Sequence, residues 1–200
     1  MMEFNQNTNI IDYHEIIECI ACALDAKDPY TAGHSQRVSD MTLRVCRLIG
    51  LQEAQIEQIH IAAHLHDIGK IGVPDNILNK PGKLTDDEWE SIKKHPGIGA
   101  EILSKSAHLN ELKNIVLYHH ERVDGRGYPS GLIGEAIPLG SRIIAICDSI
   151  DAMTSTRSYR KEHSFDYCYK EIQKNLGIMY DSIIGDYVLK HWNEIIGVDI

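Results

Sequence analysis

Seven side chains of the types that bind transition metals are spread along this chain, and the apolar residues around most of them predict that they face the interior. The set contains five imidazoles and two carboxylates: His34, His66, Asp67, His95, His119, His120 and Asp148. It contains no thiolate. Nitrogen and oxygen ligands of this kind suit Fe, Mn, Ni, Co or Zn rather than Ca or Mg. The composition of the set therefore indicates metal-assisted hydrolysis.

The run from His66 to Lys70 places an imidazole, a carboxylate and an ammonium group side by side at a predicted helix end. One buried histidine is usually only a hydrogen-bonded core residue. Seven inward polar groups would cost several kcal/mol each if they were left unpaired, and a shared metal cluster satisfies them together. Seven ligands exceed the need of one ion, so Asp67 is the predicted bridge between two ions. Lys70 is predicted to stabilise charge on a phosphoryl oxygen, against the alternative of a solvated surface lysine.

The elements that must position these ligands follow from apolar spacing. Val38, Met41 and Val45 extend a buried stripe that begins at His34, and Ile59 and Ala63 lead to His66 by helical intervals. This periodicity predicts an all-α chain with helices near 10–27, 29–49, 53–67, 85–95, 97–106, 109–120, 141–154, 164–175 and 181–195. A capping box at Thr85 opens the fourth helix, and His95 ends it because Pro96 follows. The glycine- and proline-containing segments 70–84 and 122–140 are predicted to be loops.

Composition narrows the class of protein. Two hundred residues with 43% apolar content suit one globular domain, and the net charge of −9 argues against binding to DNA, RNA or an acidic membrane. No segment approaches the roughly 20 apolar residues that span a bilayer. The polar start, residues 1–9, lacks the order of a signal peptide, so we expect a cytoplasmic protein. Cys19 and Cys22 form a C-x-x-C inside an apolar helical run and are predicted to be buried core thiols.

The remaining histidines lack comparable support and are interpreted as structural or exposed: His14, His60, His64, His108, His163 and His191. His60 and His64 share helical spacing, but an H-x-x-x-H pair without the glutamate of H-E-x-x-H is a weak signal. His64 lies just before the His66–Asp67 pair, where it either supports the cluster from outside or simply packs. Packing is the preferred interpretation.

Four longer motifs resemble a known family. His34, His66–Asp67 and Asp148 match the H…HD…D pattern of the HD phosphohydrolase superfamily. The segment 119–129 resembles the HHExxDGxGYP signature of its HD-GYP branch, and segments 66–75 and 151–160 match that branch too. The resemblance covers about residues 28–190. It implies a single helical HD-domain bundle over 28–195 with a long glycine-rich GYP loop, preceded by an N-terminal tail and helix over 1–27.

The resemblance also implies a function. It implies hydrolysis of cyclic di-GMP to linear pGpG, in some members on to GMP, through a metal-bridging hydroxide, with the seven side chains as metal ligands. Asp67 and Lys70 would be catalytic, with Lys70 also contacting the scissile phosphate or the bridging water. Arg157 and Arg160 would hold guanine or phosphate groups, which suits guanidinium chemistry; the alternative is a pair of surface arginines. Tyr128 either helps to define the substrate pocket or has a structural role in the loop, and the structural role is favoured.

One departure from the family bears on the metals. Members with a third metal carry a glutamate one turn before the first histidine, where this chain has Tyr30. We therefore expect two divalent transition-metal ions, Fe or Mn first, with Ni, Co or Zn as alternatives, and pGpG rather than full conversion to GMP.

Two questions stay open on the sequence. The first is the substrate, which is cyclic di-GMP, another cyclic dinucleotide such as cyclic GMP-AMP, or a nucleotide. The alternative to an enzyme is a catalytically silent sensor that binds a cyclic dinucleotide. The amphipathic stretch 10–24 either pairs with a second protomer or a regulatory protein, or covers the domain's own core. We favour the core.

Overall fold

The computed structural model describes residues 13–27, 33–155 and 162–197, and over these residues the protein is all-α. The predicted fold class is confirmed. The helices are α1 Tyr13–Asp25, α2 His34–Leu48, α3 Glu53–Leu65, α4 Asp75–Leu78, α5 Asp86–Ile92, α6 His95–Leu103, α7 Lys113–Leu117, α8 Leu139–Thr154, α9 Phe165–Lys174, α10 Ser182–Lys190 and α11 Trp192–Ile196. Three 3₁₀ helices lie between them at Ile68–Gly72, Leu109–Leu112 and Gly134–Ala136.

The core lies where α2 packs against α3 and α8. Val38 and Val45 of α2 and Ile143 and Ile146 of α8 are almost completely buried there. The apolar stripe predicted from Val38, Met41 and Val45 is the stripe that is buried. Three of the helices that carry the predicted ligands therefore meet in one core.

The turn after α3 brings the His66–Lys70 segment against α6. His66 is the C-cap of α3, and the chain continues directly into the 3₁₀ helix Ile68–Gly72. A Cβ atom on Gly69 would lie 1.8 Å from the carbonyl oxygen of His95. Glycine is required here because no other residue permits the two backbones to approach so closely. This contact sets Asp67 and Lys70 beside His95.

The prediction that His95 ends a helix was wrong. α5 ends at Ile92, and His95 is the first residue of α6. Pro96 is compatible with this arrangement because a proline in the first turn of a helix has no intrahelical hydrogen bond to lose. The capping box at Thr85 is present, with its side chain accepting from the backbone N–H of Glu88.

The prediction that Cys19 and Cys22 are buried was also wrong, since both are exposed. α1 buries Ile17 and Ala21, four residues apart, against α2 and α3, and the two cysteines lie outside that stripe. α1 thus packs on the protein's own core, as the sequence favoured. In the described ranges no helix has the length and apolar character needed to cross a membrane.

The long loop after α7 is organised around one buried carboxylate. Glu121 is 3% exposed and accepts hydrogen bonds from the backbone N–H groups of Ser130, Gly131 and Leu132 at 2.6, 3.0 and 3.1 Å. Apart from the 3₁₀ helix Gly134–Ala136, the chain between α7 and α8 has no helix, as predicted. Glu121 therefore fixes the conformation of a loop that has little regular structure of its own.

Replacing Glu121 with glutamine is expected to lower the free energy of unfolding by about 1–3 kcal/mol, because the new NH₂ group would face a backbone donor that then stays unsatisfied. Urea denaturation measures the change. Glu135→Gln, an exposed residue of the same loop, is the matched control and should leave stability unchanged. Equal stability of the two variants would contradict this role of Glu121.

Candidate metal centre

The structure brings all seven predicted ligands to one interior point. They come from five places in the fold: His34 from the start of α2, His66 and Asp67 from the end of α3, His95 from the start of α6, His119 and His120 from just after α7, and Asp148 from the middle of α8. The imidazoles of His34, His66, His95 and His119 are at most 2% exposed. A polar cluster buried to this degree requires internal partners.

Asp67 lies between two groups of ligands. Its Oδ2 atom is 3.6 Å from Nε2 of His34 and 3.5 Å from Nε2 of His66. Its Oδ1 atom is 3.2 Å from Nε2 of His95 and 4.0 Å from Nε2 of His119. Each oxygen thus faces a different pair of imidazoles. Asp148 joins the first pair and His120 joins the second, and in each group the ligand atoms lie within 4.8 Å of one another.

The imidazoles are oriented so that their Nε2 atoms converge. Nδ1 of His66, His95 and His119 lies 2.6–2.7 Å from the carbonyl oxygen three residues earlier in the chain. If Nδ1–H donates to that carbonyl, Nε2 carries the lone pair. The Nε2 atoms of His95 and His119 are nevertheless only 3.3 Å apart. Two lone pairs at this distance need a cation between them, so the donor set fits bound metal.

The surroundings of Asp67, His119 and His120 favour the metal-binding forms of these three side chains. Burial alone would raise the pKa of Asp67, but Lys70 and the neighbouring histidines hold it well below its usual range. Nζ of Lys70 is 2.6 Å from Asp67 Oδ2. Burial and the proximity of His120 lower the pKa of His119, and burial and His95 lower that of His120 to about 3. Asp67 is therefore ionised and these two imidazoles are neutral at pH 7.

His34 is held by a carboxylate that the sequence analysis did not single out. Its Nδ1 atom is 2.7 Å from Oδ2 of Asp151, and Arg37 makes a two-point contact with the same carboxylate through Nε and Nη2. Although burial favours neutral His34, the bonds with Asp151 and Asp67 raise its pKa to about 9. The sequence offers one indication of this role of Asp151. It lies three residues after Asp148 on one helix, and residues with that spacing share a helix face.

Replacing Asp151 with asparagine is expected to weaken metal binding by about 10- to 100-fold, because carboxylates that orient a ligating histidine have effects of this size. Competition with a fluorescent chelator measures the affinity. Asp166→Asn, an exposed carboxylate on α9, is the control. An affinity equal to that of the unmodified protein would show that Asp151 does not orient His34.

A cleft of about 510 Å³ opens beside the cluster, and His119, His120 and Asp148 form part of its wall. Tyr128 also lines it, with its ring centroid 4.8 Å from that of His120 and 6.2 Å from that of Trp89. Burial and the nearby carboxylates raise the pKa of Tyr128, so its phenol is neutral at pH 7. A cleft of this volume is within the range of small-molecule sites.

Three cations that the sequence analysis did not identify lie along this cleft: Lys93, Arg122 and Arg126. Arg122 forms a two-point ion pair with Asp124, and Lys93 pairs with Glu90. The predicted substrate-binding residues Arg157 and Arg160 lie outside the described residues, as does Tyr30, on which the expected metal count depends.

Comparison with known proteins identifies the family. The family model of the HD domain matches residues 18–184. The chain is 41% identical over 178 residues to the cyclic di-GMP phosphodiesterase response regulator RpfG of Xanthomonas campestris pv. campestris, covering 88% of this chain and 47% of that protein. It is 38% identical over 186 residues to the 3'3'-cGAMP-specific phosphodiesterase 2 of Vibrio cholerae, covering 92% and 36%. The chain thus spans less than half the length of these two relatives.

A solved structure shares the fold. The cyclic GMP-AMP-specific phosphodiesterase V-cGAP3 of V. cholerae matches with a TM-score of 0.70 at 18% identity, covering 90% of this chain and 48% of the other. At 18% sequence identity, this match shows a shared fold only. The family match spans most of the chain, and the matched range contains all seven predicted ligands. The protein therefore belongs to the HD domain family, as its motifs indicated.

Proposed function

We propose that this domain is a metal-dependent phosphodiesterase that hydrolyses cyclic di-GMP to linear pGpG. The observation that carries the proposal is the position of Asp67, whose two oxygens face two separate groups of ligands at the wall of a cleft. Of the two relatives described above, one is a cyclic di-GMP phosphodiesterase and the other is a 3'3'-cGAMP-specific phosphodiesterase, which supports a cyclic dinucleotide as substrate.

Two ions would be held by the seven side chains. His34, His66 and Asp148 would hold one, His95, His119 and His120 the other, and Asp67 would bridge them. We propose Fe or Mn, with Ni, Co or Zn as alternatives, because the ligands are imidazoles and carboxylates. Such a pair of ions supplies a nucleophile at neutral pH and charge stabilisation on the attacking and leaving oxygens of an in-line displacement.

Side chains near the metal ligands and along the cleft would bind the substrate and stabilise its negative charge. Lys70, 2.6 Å from Asp67 and partly exposed, would contact a phosphoryl oxygen on which charge develops. Tyr128 offers a neutral phenol at the cleft wall, and Trp89 an aromatic face on which a base can stack. Arg126 adds positive charge at the same cleft, whereas the charge of Arg122 is offset by its ion pair with Asp124, so the bound metal ions would supply most of the positive field. This local field accommodates an anionic substrate despite the net charge of −9. Arg157 and Arg160 remain proposed substrate contacts.

Cyclic GMP-AMP is the second candidate substrate, because one of the two relatives described above is specific for it. A silent sensor is disfavoured. Binding alone does not require seven buried ligand groups and Lys70, and burying them without a catalytic metal would destabilise the fold.

A substrate panel tests the proposal. The protein is loaded anaerobically with Fe²⁺ or Mn²⁺ and incubated with cyclic di-GMP, 3'3'-cGAMP and cyclic di-AMP, and the products are identified by mass spectrometry. We expect linear pGpG as the main product. Faster turnover of 3'3'-cGAMP would favour the second candidate substrate. Binding of cyclic di-GMP without hydrolysis would contradict the proposed phosphodiesterase activity and indicate a sensor.

A further inference from the structure

A second group of histidines lies outside the candidate metal centre, where α1 packs against α3. His14 of α1 and His60 and His64 of α3 each place one ring nitrogen within 4.8 Å of the other two. Their ring centroids are 4.9–5.2 Å apart. None of the three was a candidate ligand on the sequence, since helical spacing alone does not reveal that α1 brings a third imidazole to the pair.

His64 has no partner for either ring nitrogen, although it is completely buried. Nε2 of His60 is also buried without a hydrogen-bond partner. A buried polar group left unpaired costs about 1–3 kcal/mol. The imidazoles of the main cluster differ, because Nδ1 of His66, His95 and His119 is bonded to a carbonyl oxygen. These ring nitrogens of His60 and His64 are therefore available to bind a ligand, and binding one would remove the cost of leaving them unpaired.

The spacing of the ring nitrogens suits one shared metal ion. His60 and His64 lie four residues apart on one face of α3, and His14 and Glu18 are related in the same way on α1. Nε2 of His14 is 3.3 Å from a carboxylate oxygen of Glu18. Burial and the proximity of His14 lower the pKa of His60, which keeps it in the neutral form that binds metal. Three imidazoles, with a carboxylate or water as fourth ligand, form a typical zinc set.

We propose that His14, His60 and His64 bind one further transition-metal ion of the Zn²⁺ type, with Glu18 placed to complete the coordination. The ion would join α1 to α3 and so fix the first helix on the domain core. This site uses none of the seven ligands of the main centre, and it stands or falls independently of the proposed phosphodiesterase activity.

Zinc content measured by plasma mass spectrometry tests the proposal. The protein and its variants are saturated with ZnSO₄, freed of excess metal and analysed for zinc per chain. His14→Gln and His60→Gln replace partly exposed residues and are expected to hold about one zinc ion fewer than the unmodified chain. His108→Gln, at an exposed histidine outside both groups, should retain the full content. Equal zinc content in all four proteins would overturn the proposal.

A measurement on the unmodified chain guards against misfolded variants. With uniformly ¹⁵N-labelled histidine, addition of Zn²⁺ should shift the ring nitrogen signals of His14, His60 and His64, with saturation at one ion for this group. Asp67→Asn should preserve those shifts, because Asp67 belongs only to the main centre. Ring signals of the three histidines that stay unchanged at saturating Zn²⁺ would overturn the proposal regardless of how the variants fold.

Discussion

The protein with Asp67 replaced by asparagine is expected to lose more than 99% of its turnover of cyclic di-GMP and most of its bound metal. Carboxylates that only orient a ligand change metal affinity or activity by about 10- to 100-fold, and Asp67 faces both groups of ligands directly. Its Oδ2 atom is near His34 and His66, and its Oδ1 atom is near His95. An amide offers one neutral oxygen and an NH₂ donor, so it cannot serve both groups.

Asp186→Asn is the matched control, because it makes the same chemical change at an exposed position of α10. It should retain both turnover and metal content. Circular dichroism separates loss of metal from loss of fold. If the Asp67 variant kept its full metal content and its activity, Asp67 would not be the shared ligand.

The second large effect is expected at Lys70. Replacing it with methionine should lower kcat by about 100- to 1,000-fold, the size of effect seen when one group that stabilises transition-state charge is removed. Metal should still be bound at pH 7, because the seven ligands are intact. This separation of turnover from metal content distinguishes Lys70 from Asp67. Lys105→Met, at a lysine that is 75% exposed, is the control.

Lys70 also gives the protein a pH dependence with a definite sign. The positive charge of Lys70 helps to hold the pKa of Asp67 below its usual range. Without it that pKa rises, so Asp67 becomes protonated at a higher pH. Metal binding by Lys70→Met should therefore fail at a higher pH on acidification than metal binding by the unmodified protein. Identical acid profiles for metal content would show that the ammonium group does not stabilise the ionised carboxylate.

The sequence was sufficient to predict that these seven side chains lie together in the interior, because helical periodicity determines which side chains are buried. His66 and His119 each follow an apolar stripe, and burial of that stripe carries the imidazole inward with it. Helix boundaries were less predictable. Pro96 predicts that a helix ends at His95, whereas proline is equally compatible with the first turn of the next helix. The local sequence does not distinguish these two cases. The packing of Gly69 against the backbone of His95, which only the structure shows, does distinguish them.

The residues that escaped prediction act through tertiary contacts. Asp151 becomes significant only because α2 and α8 pack together and bring it to His34. In the sequence, Glu121 is one polar residue of a loop. Only the structure shows that its carboxylate accepts three hydrogen bonds from backbone N–H groups. His14 and His64 are fifty residues apart in sequence and meet only when α1 packs on α3. The metal-binding roles of the seven ligands, and the substrate contacts of Arg157, Arg160 and Tyr128, stay predictions.

Anomalous X-ray scattering from crystals of the metal-loaded protein tests the central claim most directly. Data collected on both sides of the Fe or Mn absorption edge should give two peaks about 3.5–4 Å apart, with the carboxylate of Asp67 between them. His34, His66 and Asp148 should surround one peak, and His95, His119 and His120 the other. A single peak, or two peaks that do not share Asp67, would contradict a dinuclear centre bridged by this carboxylate.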